Sequence, residues 1–264
     1  MDSAIIIGIV GATVCLVGGF LLEGGKAGAL LQITAAVIVF GGTIGATIAS
    51  FSMREIMTIP GLLKIVLTQK VPEPGEIIEL IIELAEIARR EGLLQLENKL
   101  PEINDLFLRK GLQLVVDGNE PELVRNTLEV EIYATEERHQ TGKQIFEAAG
   151  GYAPTMGIIG TVMGLVHVLG QMTTPEKLGP AIAVAFMATL YGVASANVLW
   201  VPIATKLGNL SKKEILIRQL MLEGIVSVQA GYNPTLIRDR LSGFLRPEAR
   251  KEREKSREIK GEEG

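Results

Sequence analysis

The sequence predicts an all-α, polytopic membrane protein with four transmembrane helices and a helical cytoplasmic domain. Charge is absent from Ser3 to Leu22, from Ala27 to Met53, from Ile145 to Met172 apart from Glu147, and from Leu178 to Thr205. Roughly 20 mainly apolar residues cross the hydrocarbon core, so four spans follow at 4–22, 28–50, 152–171 and 180–203. The averages, 47% hydrophobic, 21% charged and a mean hydropathy of +0.32, lie within reach of soluble domains. Segregation along the chain is what decides the class.

The first span reads as a retained helix. A signal peptide needs a basic start, and this chain has Asp2 there, followed by a long apolar run. Cys15 lies inside it as the only cysteine, so no intrachain disulfide or cysteine metal cluster forms, and packing is its expected role. The connections Glu23–Lys26 and Met172–Gly179 carry one cation each, whereas 54–150 carries eleven and the tail from Lys206 carries thirteen. Cations stay on the cytoplasmic side, so both large polar parts and both termini are expected there. The inner loop has net charge −7 and the tail +4. That polarity suits protein partners better than nucleic acid.

Within the loop, Glu76, Glu79, Glu83 and Glu86 share one stripe opposite Ile77, Ile81, Leu84 and Ala88, an amphipathic helix preceded by Pro72 and Pro74 and interrupted at Gly92. A second helix is expected over 102–116, between Pro101 and Asp117-Gly118. Asn119, Pro121 and Glu122 read as an N-cap with a capping box. The helix that follows runs toward Gly150-Gly151 and the third span. The fourth span is expected to continue past Pro202 to Ile225, with Gly231-Tyr-Asn-Pro234 ending it before a short helix at 235–245. The expected organisation is two spans in 1–53, a cytoplasmic helical domain in 54–150, two spans in 151–205, cytoplasmic helices in 206–246, and a charged tail in 247–264 that is disordered or a solvated helix.

The third and fourth spans hold the unusual residues. Gly157, Gly160, Thr161 and Gly164 recur at helical spacing, as do Ala181, Ala185, Ala188, Gly192 and Ser195 with Thr189 at their edge. Small residues let helices approach closely in lipid, and packing alone accounts for that pattern. The hydroxyls of Thr155, Thr161, Thr189 and Ser195 have two readings: a bond to the helix's own carbonyl, or the lining of a polar path. Pro154 and Pro202 each delete a helix hydrogen bond; they mark a membrane boundary or a kink that changes partners during a conformational step. His167 is expected to be neutral and hydrogen-bonded within the bundle.

No Asp, Glu, Lys or Arg lies inside any expected span. A proton or sodium pathway normally needs an intramembrane carboxylate to bind the ion; if this bundle conducts ions, another chain must supply it. No Walker sequence, nucleophile–base set or metal-ligand spacing occurs, so the chain is expected not to be an enzyme and to need no cofactor.

The motifs Ala153-Pro-Thr-Met-Gly157, Gly160-Thr-Val-Met-Gly-Leu165, Ile182-Ala-Val-Ala-Phe-Met-Ala-Thr-Leu-Tyr-Gly192, Ala196-Asn197, Pro202-Ile-Ala-Thr-Lys-Leu207, Gly231-Tyr-Asn-Pro234 and Leu241-Ser-Gly-Phe-Leu245 resemble the MotA/PomA family. ExbB and TolQ resemble the same core but have three spans and lack the early pair. The resemblance implies a flagellar motor stator subunit of the bacterial inner membrane, present as a pentamer around two copies of a MotB-like partner. That partner supplies the aspartate for H+ or Na+, and the cytoplasmic domain contacts the rotor protein FliG. It also implies site residues: Thr189 in the ion pathway with Thr155 and Thr161 as further candidates, Pro154 and Pro202 as kinks, and Arg89 and Glu97 as rotor contacts. The alternative it implies is an ExbB/TolQ-like energising subunit for outer-membrane transport.

Overall fold

The computed structural model describes residues 4–69, 71–170, 175–245 and 247–248. Of the expected outer loop Met172–Gly179, residues 172–174 lie outside them, as does the charged tail from 249, while 175–179 already belong to a helix. The described residues form eleven α-helices joined by short 3₁₀ and π turns, with no strand among them.

Four helical stretches are long and apolar enough to cross a membrane: α1 (Ala4–Leu22), Ala27–Ser50, α8 (Pro121–Leu169), and the run Ala181–Gln229. α1 has no fully buried side chain, and most of its apolar surface, Cys15 included, is exposed, although Ile5 packs against the Phe146–Ile203 cluster. Packing by Cys15 against this chain is therefore not observed. The second span differs from a plain helix over 28–50. A 3₁₀ turn, Ala27–Leu30, gives way to extended backbone at Leu31 and Gln32, and helix resumes only with α2 (Ile33–Ala36). A π turn at Val37–Gly41 then leads into α3 (Gly42–Ser50). α4 (Met53–Ile56) opens with a capping box in which Ser52 and Glu55 exchange bonds, and α5 (Ile59–Thr68) follows.

The chain divides into two compact units. The first comprises residues 1–70 and 138–210, and the second 71–137 and 211–264. In the second, α6 (Pro74–Glu91) buries Ile77, Ile81 and Leu84 and leaves the four glutamates exposed, as its periodicity predicts. Gly92 ends it at φ 92°, a conformation that side chains with a Cβ rarely adopt. The next ten residues, Leu93–Glu102, are 3₁₀ instead of the expected start of a helix at 102. α7 (Leu106–Val116) begins later because Asp105 caps it, accepting from the Leu108 N–H at 2.9 Å. Asn119 does not cap the following helix either. Its side chain donates back to the Leu114 carbonyl at 2.9 Å and closes α7.

α6 and α7 pack with α11 (Pro234–Ser242) and the parts of α8 and α10 (Val201–Gln229) that belong to this unit around Ile81, Leu108, Leu112, Leu128, Leu220, Met221, Ile225 and Leu241. A charge cluster ties this unit at its edge. Glu223 accepts from Arg125 at 2.8 Å and from Arg240 at 2.6 Å. The Arg125 guanidinium holds the Glu223 carboxyl below the usual carboxylate range. The contribution is therefore complete above the pKa of an unfolded glutamate and is lost as pH falls through the lowered native value. Glu223→Gln should lower stability by about 1 kcal/mol at neutral pH, a modest figure because the cluster is partly solvated. The difference between the two proteins should shrink as pH falls through the lowered native pKa of Glu223; a difference undiminished by acid would show that the residue acts through packing.

Candidate functional site: the third and fourth spans

α8 runs unbroken through Pro154 for 49 residues, from the second unit into the third span. The fourth is α9 (Pro175–Ser195), followed by a π turn at Ala196–Trp200 and then α10. The two expected stripes of small residues face each other. A Cβ on Gly192 would lie 2.5 Å from the Ala153 carbonyl oxygen, and one on Gly157 would lie 2.8 Å from that of Ala188. On Gly160 and Gly164 it would meet the Cβ atoms of Ala188 and Ala185 at 2.7 and 2.6 Å. Backbone therefore touches backbone, as close helix packing in lipid requires.

That approach brings two of the threonines together. The Thr161 and Thr189 hydroxyls are hydrogen-bonded to each other, and Thr161 Oγ1 also lies 3.1 Å from the Gly157 carbonyl and 3.0 Å from that of Ala185. A hydroxyl has one proton and two lone pairs, so these oxygens compete for it and the pair can re-orient. Both residues are half-buried. Thr155 stands apart: it is exposed, and its hydroxyl donates to the Tyr152 carbonyl of its own helix at 2.8 Å. His167 is exposed on α8 and is not one of the residues bonded to the threonine pair.

The prolines sit at different kinds of position. Pro154 deletes the bond to the Gly150 carbonyl four residues back, and helix continues on both sides. Pro202 follows the π turn, where the Val201 N–H donates to Ala196 five residues back. It is half-buried against α1, lining a cavity of about 480 Å³ with Ile5, Gly8 and Ile9. In the second unit, Arg89 near the end of α6 and Glu97 in the 3₁₀ run are both exposed, while the neighbouring Arg90 pairs with Glu86.

One functional candidate escaped the sequence reading. The Tyr191 hydroxyl donates to the Leu30 carbonyl and accepts from the Gln32 N–H at 2.9 Å. The only sequence signal was a tyrosine inside a span, which the second span's break turns into a specific contact.

Oxygen atoms of hydroxyls and carbonyls can replace water around a small cation, but this pair carries no charge to balance it. Among the described residues no group of three or more His, Cys, Asp or Glu side chains is placed to bind a metal ion. Fold and site together define a polytopic helical membrane protein with a hydroxyl-bearing, close-packed helix pair that lacks its own charged ion ligand.

The comparisons with known proteins agree with that class. The chain matches the MotA/TolQ/ExbB proton channel family over residues 99–220 and the motility protein A N-terminal family over residues 6–92. It is 41% identical over 246 residues to motility protein A of Bacillus subtilis, covering 93% of this chain and 91% of that one. It is 38% identical over 245 residues to the chemotaxis protein PomA of Vibrio alginolyticus, covering 93% and 96%. Among solved structures, the flagellar MotAB stator complex of Bacillus subtilis matches with a TM-score of 0.88 at 40% identity, covering 94% of this chain and 98% of that one. MotAB of C. jejuni matches at 0.89 and 29%, covering 94% and 97%. The chain belongs to the MotA/PomA family.

Proposed function

We propose that this chain is the A-type subunit of a flagellar motor stator and that, with a MotB-like partner, it conducts H+ or Na+ and converts the flow into torque. The observation that carries this reading is the Thr161–Thr189 hydroxyl pair, set between helices that carry no acid of their own in the spans. A carboxylate from the partner completes such a site. Thr189 replaces one water of the passing ion, with Thr161 beside it; Thr155 lines the wider approach. Both termini face the cytoplasm across the bacterial inner membrane, and five copies surround two partner helices. No cofactor beyond the coupling ion is required, and no covalent chemistry is assigned to this chain.

Arg89 and Glu97 present charge to the rotor protein FliG at a wet surface, where complementarity favours encounter and orientation. An ExbB/TolQ-like role in outer-membrane transport uses the same core. The early pair of spans, within the region matching the motility protein A N-terminal family, favours the motor.

Complementation of a stator-less strain together with the partner tests this reading. The chain should restore swimming, and Thr189→Ala should lower flux and torque without loss of assembly. Arg89→Glu and Glu97→Lys should leave flux intact yet impair motility far more than neutral substitutions, because exposed pairs contribute only about 0–1 kcal/mol whereas reversal adds repulsion. A compensating reversal on the rotor should rescue these two and not Thr189→Ala. Restored import without motility would favour the transport role. Swimming speed against external sodium at fixed pH identifies the ion.

A further inference from the structure

The second span is interrupted near its start. Leu31 and Gln32 are extended, at φ −104° and −122°; the Leu31 N–H still donates to Gly28 and the Gln32 carbonyl still accepts from Ala36, but the Leu30 carbonyl and the Gln32 N–H are bonded to a side chain of another helix. Within a bilayer each unpaired group costs several kcal/mol. The Tyr191 hydroxyl spans the break by donating to Leu30 and accepting from Gln32. Its ring packs at 6.2 Å from that of Phe40, and beside it Ala35 and Val39 of the second span are buried against Ala188.

Tyr191 lies two residues beyond Thr189. Two residues turn an α-helix by about 200°, so the side chains leave opposite sides of α9. One side is seated on the third span through Thr189 and Gly192; the other is held to the second span by Tyr191, and Ala188, between them, touches both spans. The rotation of α9 about its own axis is therefore set from both sides, and that rotation aims the Thr189 hydroxyl.

We propose that Tyr191 is a positioning residue for ion passage: by clasping the break in the second span it fixes the rotation of α9 and with it the placement of the Thr189 hydroxyl. This rests on the ion-pathway reading of Thr189. Tyr191 itself touches no ion, and its effect passes through Thr189.

The test is Tyr191→Phe, which keeps the ring and removes only the hydroxyl, measured in the complex with its partner. Flux and torque per assembled complex should fall about fivefold, the equivalent of one hydrogen bond. In a Thr189→Ala background the same change should cost less than about twofold, since there is no hydroxyl left to aim. Independently of activity, oxidative cross-linking of a Thr161→Cys, Thr189→Cys pair should slow about fivefold when residue 191 is phenylalanine. Fewer assembled complexes with unchanged flux per complex and unchanged cross-linking would reduce Tyr191 to a structural brace and overturn the proposal. So would equal losses in both backgrounds. Normal flux in Thr189→Ala alone would instead bring down the ion-pathway reading, and this inference with it; normal flux in Tyr191→Phe beside an impaired Thr189→Ala overturns the inference alone.

Discussion

Gly192→Ala should abolish motility and destabilise the protein, whereas Gly151→Ala, on α8 a few residues away from the contact, should do neither. Alanine normally stabilises a helix relative to glycine by about 0.5–1 kcal/mol. At Gly151 nothing lies within 4 Å of an added Cβ, so that gain is available. At Gly192 the added carbon would sit 2.5 Å from the Ala153 carbonyl oxygen and 3.1 Å from Gly157 Cα. These are backbone atoms of a facing helix, so no side-chain rotation relieves the overlap. The helices must separate or slide, at a cost of about 3 kcal/mol. Because Thr161 and Thr189 meet across the same contact, separation also breaks their bond. Thermal unfolding of the extracted protein, flux and swimming should all fall together. A Gly192→Ala protein with normal melting and normal swimming would mean that the two spans do not pack this closely.

Pro202→Ala should separate stability from activity. Proline costs a helix about 3 kcal/mol when it removes an internal bond and crowds the preceding turn. Here the π turn at Ala196–Trp200 lies directly before it and its last bond reaches five residues back, from Val201 to Ala196. Such a turn widens the helix where the ring would otherwise press on it, and π turns of this kind concentrate at functional sites. Alanine supplies the missing N–H and favours an ordinary turn. Losing the extra residue of a π turn would rotate α9 against α10 by about 100°, which conflicts with the seating of α9 on Gly157 and of α10 through Ile203, Ala204 and Leu207. The variant should melt no lower than the parent, yet its flux and torque should drop about tenfold. A less stable Pro202→Ala protein whose surviving complexes turn normally would leave the proline a purely structural role. Pro154→Ala, in an unbroken helix, makes a milder companion test.

Long-range order along the chain was legible without coordinates because its physical causes are local. Charge-free runs mark bilayer spans, since each internal charge is costly in hydrocarbon. The period of Ile77, Ile81 and Leu84 against the glutamates marks the buried face of α6, and the structure buries those three residues. The glycine and alanine stripes announced close packing, and the absence of an acid in the spans announced a partner.

Tertiary structure alone decided what met what. A period identifies a helix face but carries no information about which face of another helix it will find. Thr155 and Thr161 were equal candidates beside Thr189 on the chain; only the Gly157–Gly192 crossing joined Thr161 to Thr189 and left Thr155 bonded to its own helix. Asn119 had the spacing of a cap, but a carbonyl at the end of α7 was the nearer partner. The break at Leu31–Gln32 has no local signal, because the group that makes it tolerable is a hydroxyl 159 residues away from Gln32. Sequence thus determined the spans, their faces and the missing ion ligand, all consequences of solvation. Register, rotation and the pairing of hydroxyls awaited the fold, because they depend on contacts between groups far apart in the chain.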